Sequence, residues 1–212
     1  MNTNIMLMNI KIIEQIVSIV LVLSVVGALI YFSYVLKKEG FSSELTKVKS
    51  NIDNRSYTVR NLPDKQDAAN SLALIRSRLV KMIDYLSKKY PEDQGIQRLK
   101  EKFRPDNISE GLPDGKYTSY SVNKGEKIVF CVRQRDTNNS LVDINTMMFV
   151  AIHEMGHLMS KSIGHTPEFW ENMKILLEKV IDSELNIYKY QSFHKQPEEY
   201  CGTQITDTPL KL

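Results

Sequence analysis

Three of the chain's four histidines fall within FVAIHEMGHLMSKSIGHTPEFW, residues 149–170, at His153, His157 and His165, with Glu154 beside the first. Two histidines four positions apart on a helix lie on one face, so both imidazoles can share one Zn²⁺ at about 2.0–2.1 Å from each nitrogen. Glu154, turned roughly 100° around the same helix, is placed to reach a water beside the metal instead. His-Glu-x-x-His on a helix therefore suits hydrolysis in which zinc activates water and a carboxylate takes its proton. Three protein ligands leave the fourth tetrahedral position to water, which separates a catalytic zinc from a closed structural one.

Such a site needs a helix beneath it and a joint after it. Asp143 or Asn145 can cap a helix through INTMMFVAIHEMGHLMSK, whose Phe149, Ile152, Met155, Leu158 and Met159 read as core. Gly164 is the expected helix stop, since glycine accepts the left-handed conformation that ends helices. A second helix then starts with Thr166 as N-cap, Pro167 at its first position and Glu168 near the positive end of its dipole. His165 sits at this joint and is the preferred third ligand; Glu178, Glu184 and His194 are the other candidates.

Further elements must pack around this pair. Leu72, Ile75, Leu79, Met82, Ile83 and Leu86 recur at helical spacing, with Asp64 available as N-cap and an end near Tyr90, before Pro91. Residues 117–122 and 127–133 are β-prone and flank Asn123, Lys124, Gly125 and Glu126, a turn composition that predicts a hairpin. This hairpin either covers the core or offers an edge strand to an extended substrate. Residues 195–212 contain turn formers and short β-prone pieces expected to wrap back over the domain. Cys131 and Cys201 are too few for a disulfide framework; two free thiols in a reducing compartment are the preferred reading, each a small buried hydrophobe, and a single disulfide is the alternative. Tyr200 and Tyr120 are candidates to stabilise an oxyanion, although each reads first as a packed or surface tyrosine.

The first sixty residues have a different composition. Residues 16–36, IVSIVLVLSVVGALIYFSYVL, carry no charge and are long enough to cross the hydrocarbon core as a helix. The run is longer than a signal peptide's apolar region and ends in YFSYVLKK without a small-x-small cleavage site, so a retained anchor is expected. Lys37, Lys38, Lys47 and Lys49 follow the span and outnumber Lys11 and the amino terminus before it, which puts the C-terminal domain in the cytosol. The expected organisation is a tail at 1–15, a transmembrane helix at 16–36, a juxtamembrane stalk at 37–62 and a catalytic domain at 63–212. A net charge of +3, from 28 basic and 25 acidic residues without a long basic run, gives no support to nucleic-acid binding.

HEMGHLMSKSIGHTPEFW resembles the SprT-like arrangement, in which the helix motif is followed by a loop and a Gly-His-x-x-x-Phe element carrying the third ligand. YSVNKGEKIVFCVRQR is similar to the Asn-x-Gly-x-x-Ile strand signature before the active-site helix of WLM proteins. VRNLPDKQDAAN, YTSYSVNKGEKI and EEYCGTQITDTPL also resemble WLM-type metalloproteases encoded by large nucleocytoplasmic DNA viruses. The resemblance covers residues 66–181 and implies zinc at His153, His157 and His165, with Glu154 as general base. The membrane span, the lack of an obvious DNA- or ubiquitin-binding tail and a longer gap before the last ligand depart from the cellular relatives. They put crosslink repair on DNA in doubt. The fold expected is α+β: a minimal zincin-like domain of active-site helix, packing helices and a small hairpin or sheet, behind one N-terminal transmembrane helix. The function expected is a membrane-anchored zinc protease acting on a protein or peptide substrate, with the lipid membrane engaged through residues 16–36. The alternatives are a membrane-anchored structural or virion protein with a vestigial or structural zinc site, and a zinc hydrolase of another amide.

Overall fold

A computed structural model describes residues 2–115, 117–181 and 184–210 in two compact units, Met1–Glu44 and Leu45–Leu212. The first unit is one helix, α1 (Asn2–Ser43). Its segment Ile13–Val35 has a mean hydropathy of 2.6, is unburied, and is long and apolar enough to cross a membrane.

The second unit is α+β. In chain order it holds β1 (Leu45–Lys49), β2 (Ser56–Arg60), α2 (Lys65–Lys89), α3 (Gln94–Lys102), β3 (Ile108–Glu110), β4 (Tyr120–Val122), β5 (Lys127–Phe130), α4 (Ile144–Met159), α5 (Pro167–Ile181), β6 (Glu198–Tyr200) and β7 (Thr203–Ile205). Five strands form one sheet in the order β1-β2-β3-β5-β4, parallel at β2–β3 and β3–β5 and antiparallel at both edges. Helix α2 packs on β1, β2 and β3, while α4 is surrounded by α2, α3 and α5 and also touches β4.

Residues 45–60 are thus not stalk. They form the β1–β2 hairpin, registered from Leu45↔Arg60 to Lys49↔Ser56, and Tyr57 and Val59 of β2 are buried at alternate positions. Only two apolar inward-facing residues carry this strand, too short a run for its period of two to stand out. The expected α2 stripe from Leu72 to Leu86 is buried throughout, and the helix ends at Lys89 with Tyr90 as C-cap. Asp64 occupies the N-cap position but makes no capping hydrogen bond, because its carboxylate is bonded to Arg133.

The hairpin at 117–133 forms as β4 and β5, with Asn123, Lys124 and Gly125 all at positive φ in the turn. Gly125, at φ 109°, is held so tightly that a Cβ there would come within 2.6 Å of the Lys102 carbonyl oxygen and 2.9 Å of Leu158. The turn is thereby pressed onto the end of α4.

The expectation of free thiols is overturned. Cys131 and Cys201, 70 residues apart, form a disulfide with their Cα atoms 6.3 Å apart. It fastens the β6–β7 hairpin to the segment after β5, and the tail does wrap back, burying Tyr200, Thr208 and Leu210. No local pattern could disclose a pairing of this separation, which exists only once the tail has returned. For a closed loop of this length, reduction should lower the unfolding free energy by about 4 kcal/mol. The measurement is the urea midpoint with and without reductant; equal midpoints would mean that packing alone holds the tail.

Candidate metal centre

Asp143 starts α4 as its N-cap, accepting hydrogen bonds from the Asn145 and Thr146 backbone amides at 2.8 and 3.2 Å. From that start His153 and His157 stand one turn apart on one face, their ring centroids 5.0 Å from each other. The helix ends at Met159, not at Gly164. Ser160 turns to an extended conformation and returns its hydroxyl to the Gly156 carbonyl at 2.8 Å, closing the last turn earlier than the glycine would. Gly164 does adopt a positive φ of 82°, but as a bend within the loop that leads to His165.

The loop brings His165 to the pair, 4.9 Å between centroids from both His153 and His157. The ligating nitrogens of the three lie within 4.8 Å of one another, and Nε2 of His165 is 3.0 Å from Nε2 of His153. Two nitrogens on one tetrahedral zinc would stand roughly 3.3 Å apart, so this donor set fits the ion with little movement. His194, the distant candidate, is bonded through Nδ1 to Ser192 instead, and Glu178 lies 3.9 Å from Lys174. Among the described residues no fourth His, Cys, Asp or Glu joins the cluster.

Aromatic packing fixes the rings. Phe169, buried at the start of α5, stacks on His157 at 4.2 Å and meets His153 and His165 edge-on, while Trp170 stacks on His165 at 5.6 Å. Gly156 lets α5 come this close, since a Cβ there would stand 3.1 Å from the Phe169 ring. Burial, and then the neighbouring histidines, press the His153 pKa down to about 3; burial, His165 and Lys124 press that of His157 to about 4. Both imidazoles are therefore neutral at pH 7, the form that ligates.

Glu154 is 4% exposed and faces β4. Burial pushes its pKa up to about 7, against the opposing effect of a hydrogen bond from the Ser121 backbone amide. A carboxyl poised there can both take and give a proton near neutrality. The histidines and Glu154 lie in a cleft of about 860 Å³ whose lining includes residues of β4 and Ile163. Strand β4 is an edge of the sheet, and its Ser121 lines this cleft. Tyr120 lines it too, whereas the Tyr200 hydroxyl donates to the Cys131 carbonyl at 3.0 Å and pairs with Ser119 at 2.6 Å, committed to the fold.

The WLM domain profile matches residues 53–210, nearly the whole second unit. The chain belongs to the WLM metalloprotease family. This WLM protein is similar to an uncharacterized protein of Acanthamoeba polyphaga mimivirus, 38% identical over 200 residues that span 92% of this chain and 98% of that one. A shorter likeness, 31% over 71 residues, joins it to an uncharacterized protein of Invertebrate iridescent virus 6, covering 33% of this chain and 38% of that protein. Crystal structures of Wss1 from Saccharomyces cerevisiae and of a Wss1 mutant align with TM-scores of 0.42 and 0.44 at 23% and 21% identity. They cover 57% and 58% of this WLM chain and 83% and 87% of their own.

Proposed function

We propose that this protein is a zinc-dependent protease, carried on a membrane by its N-terminal helix, that cleaves extended segments of protein substrates. The observation that carries the reading is the convergence of His153, His157 and His165 beside a buried, proton-poised Glu154 in an open cleft. Zinc held by the three histidines would polarise a scissile carbonyl and acidify water. Glu154 draws the proton from the attacking water and passes it to the leaving amine nitrogen. The outer edge of β4 accepts the substrate backbone as an added strand, with main-chain hydrogen bonds giving orientation. A three-ligand set supports catalysis over a structural zinc, which takes a fourth protein ligand.

The hydropathy and exposure of 13–35 support an anchor, and the virus-encoded relatives support a viral origin. The side of the membrane is opposed by two cues. Lysines after the span favour the cytosol, whereas the Cys131–Cys201 disulfide favours an oxidising compartment. The disulfide is the stricter cue, because a reducing compartment would remove it, while the charge bias rests on a few lysines. The test of the function is zinc analysis of the purified full chain with digestion of an unfolded protein. One zinc per chain and cleavage stopped by a chelator are expected; a metal-free chain, or cleavage indifferent to chelation, sinks the reading.

A further inference from the structure

His165 is the exposed member of the triad and is delivered by a loop, residues 160–166, that contains no helix or strand of its own. Two charged side chains hold that loop from opposite sides. The Lys124 ammonium donates to the carbonyls of Ser160, Lys161 and Ser162 at 2.9, 2.6 and 2.8 Å. Glu168, at the start of α5, accepts from the backbone amides of Lys161 and Ser162, both at 2.9 Å. All three ammonium protons are thus engaged, and the Lys161 and Ser162 peptide units are gripped through both their carbonyl and amide faces.

Lys124 comes from a different part of the chain, 36 to 38 residues before the carbonyls it meets. It sits at the tip of the β4–β5 turn with φ 52°, a left-handed conformation that a side chain other than glycine or asparagine adopts infrequently. Observed strain of this kind points to a requirement for the residue at that place. Gly125 beside it locks the turn against Lys102 and Leu158. The ammonium also answers a local need, because the carbonyls past the end of α4 have no helical partner; Arg98 serves the one before them, that of Met159.

We propose that Lys124 is a positioning residue for the third metal ligand: by gathering the carbonyls of Ser160, Lys161 and Ser162 it sets the path that brings His165 to His153 and His157. The same contact ties the metal centre to the hairpin whose strand β4 faces the substrate. The inference rests on the zinc site proposed above. A guanidinium, planar and forked, cannot direct its donors at three carbonyls gathered around one point as an ammonium does. Arg at this position should therefore restore the site only in part.

The test measures zinc affinity of the full-length chain in detergent by competition with a chromophoric chelator, with circular dichroism and thermal unfolding as checks on folding. K124M should weaken zinc by about 10- to 100-fold, the usual cost of losing a group that orients a ligand, with K124R between it and wild type. On an H165A background K124M should change affinity by no more than about twofold, since its effect passes through His165. K124M binding zinc as wild type does, or multiplying its full loss onto that of H165A, overturns the proposal. Should K124M not fold, E168Q, which weakens the grip from the other side, carries the same comparison with and without H165A. A wild-type chain that binds no zinc fails the metal centre itself, whereas wild-type binding with unchanged K124M and E168Q fails only the clamp.

Discussion

Glu154→Gln should lower turnover of a protein substrate by about 10²- to 10⁴-fold, the range a positioned acid–base group contributes, while zinc content and thermal stability stay near wild type. The amide has the shape of the carboxyl and still offers an oxygen toward the Ser121 amide. It can neither take a proton from water nor return one to the departing nitrogen. Stability should hold because burial already pushes Glu154 toward its neutral form, with a pKa of about 7, and an uncharged replacement costs little in that setting. Zinc should stay because the three histidines contribute every ligand in the cluster. Single-turnover kinetics on a quenched protein substrate, with metal analysis of the same preparation, separates the outcomes. Undiminished turnover would put the general base elsewhere; loss of zinc together with activity would make Glu154 part of the metal's support.

What could be read from the sequence is what nearby residues specify together. His153 and His157, the Asp143 cap, the α2 stripe and the Asn123–Lys124–Gly125 turn are local patterns, and the structure forms each of them. The third histidine was legible because Thr166 and Pro167 announce a new helix immediately after it, and the Phe169 amide does bond the Thr166 hydroxyl at 3.4 Å. The misses are pairings across sequence distance. Strand β2 depends on β1 and on its parallel neighbour β3, about fifty residues away. The disulfide closes over 70 residues, and Lys124 meets carbonyls 36 to 38 positions on. Even the end of α4 belongs to this class: Ser160 ends it with support from Asn172 of α5, whose amide donates to the Ser160 hydroxyl at 2.9 Å, so the local glycine signal at 164 came too late.

Arg133→Met should cost about 3–5 kcal/mol of folding stability, the range for removing one partner from a buried ion pair, and this is the largest stability effect expected in the domain. The Arg133 and Glu110 side chains are each 1% exposed and are joined by a hydrogen bond from one guanidinium nitrogen to a Glu110 carboxylate oxygen. The rest of the guanidinium forks onto Asp64, with Nη2 2.8 Å from Oδ1 and Nε 3.3 Å from Oδ2. The other Glu110 oxygen accepts from the Arg60 amide at 2.7 Å, so the cluster joins β2, β3, the start of α2 and the segment after β5. Methionine fills similar space but strands the Glu110 charge with one amide donor. The hydrogen bond from Arg133 also holds the Asp64 carboxyl below its usual pKa of 3.8. Because the folded-state value is the depressed one, that stabilisation is present above about pH 4 and is lost as pH falls through the folded value, so the wild-type advantage over R133M should narrow in acid. Urea unfolding of wild type, R133M and R133M/E110L measures the coupling, and the double variant should regain much of the loss because no buried charge is left unpaired. A double variant no more stable than R133M would show that what matters at this junction is the shape of the arginine and not its charge. Because none of these residues lines the cleft, zinc affinity per folded chain should stay unchanged throughout the series, which separates the domain's structural ion cluster from its chemistry.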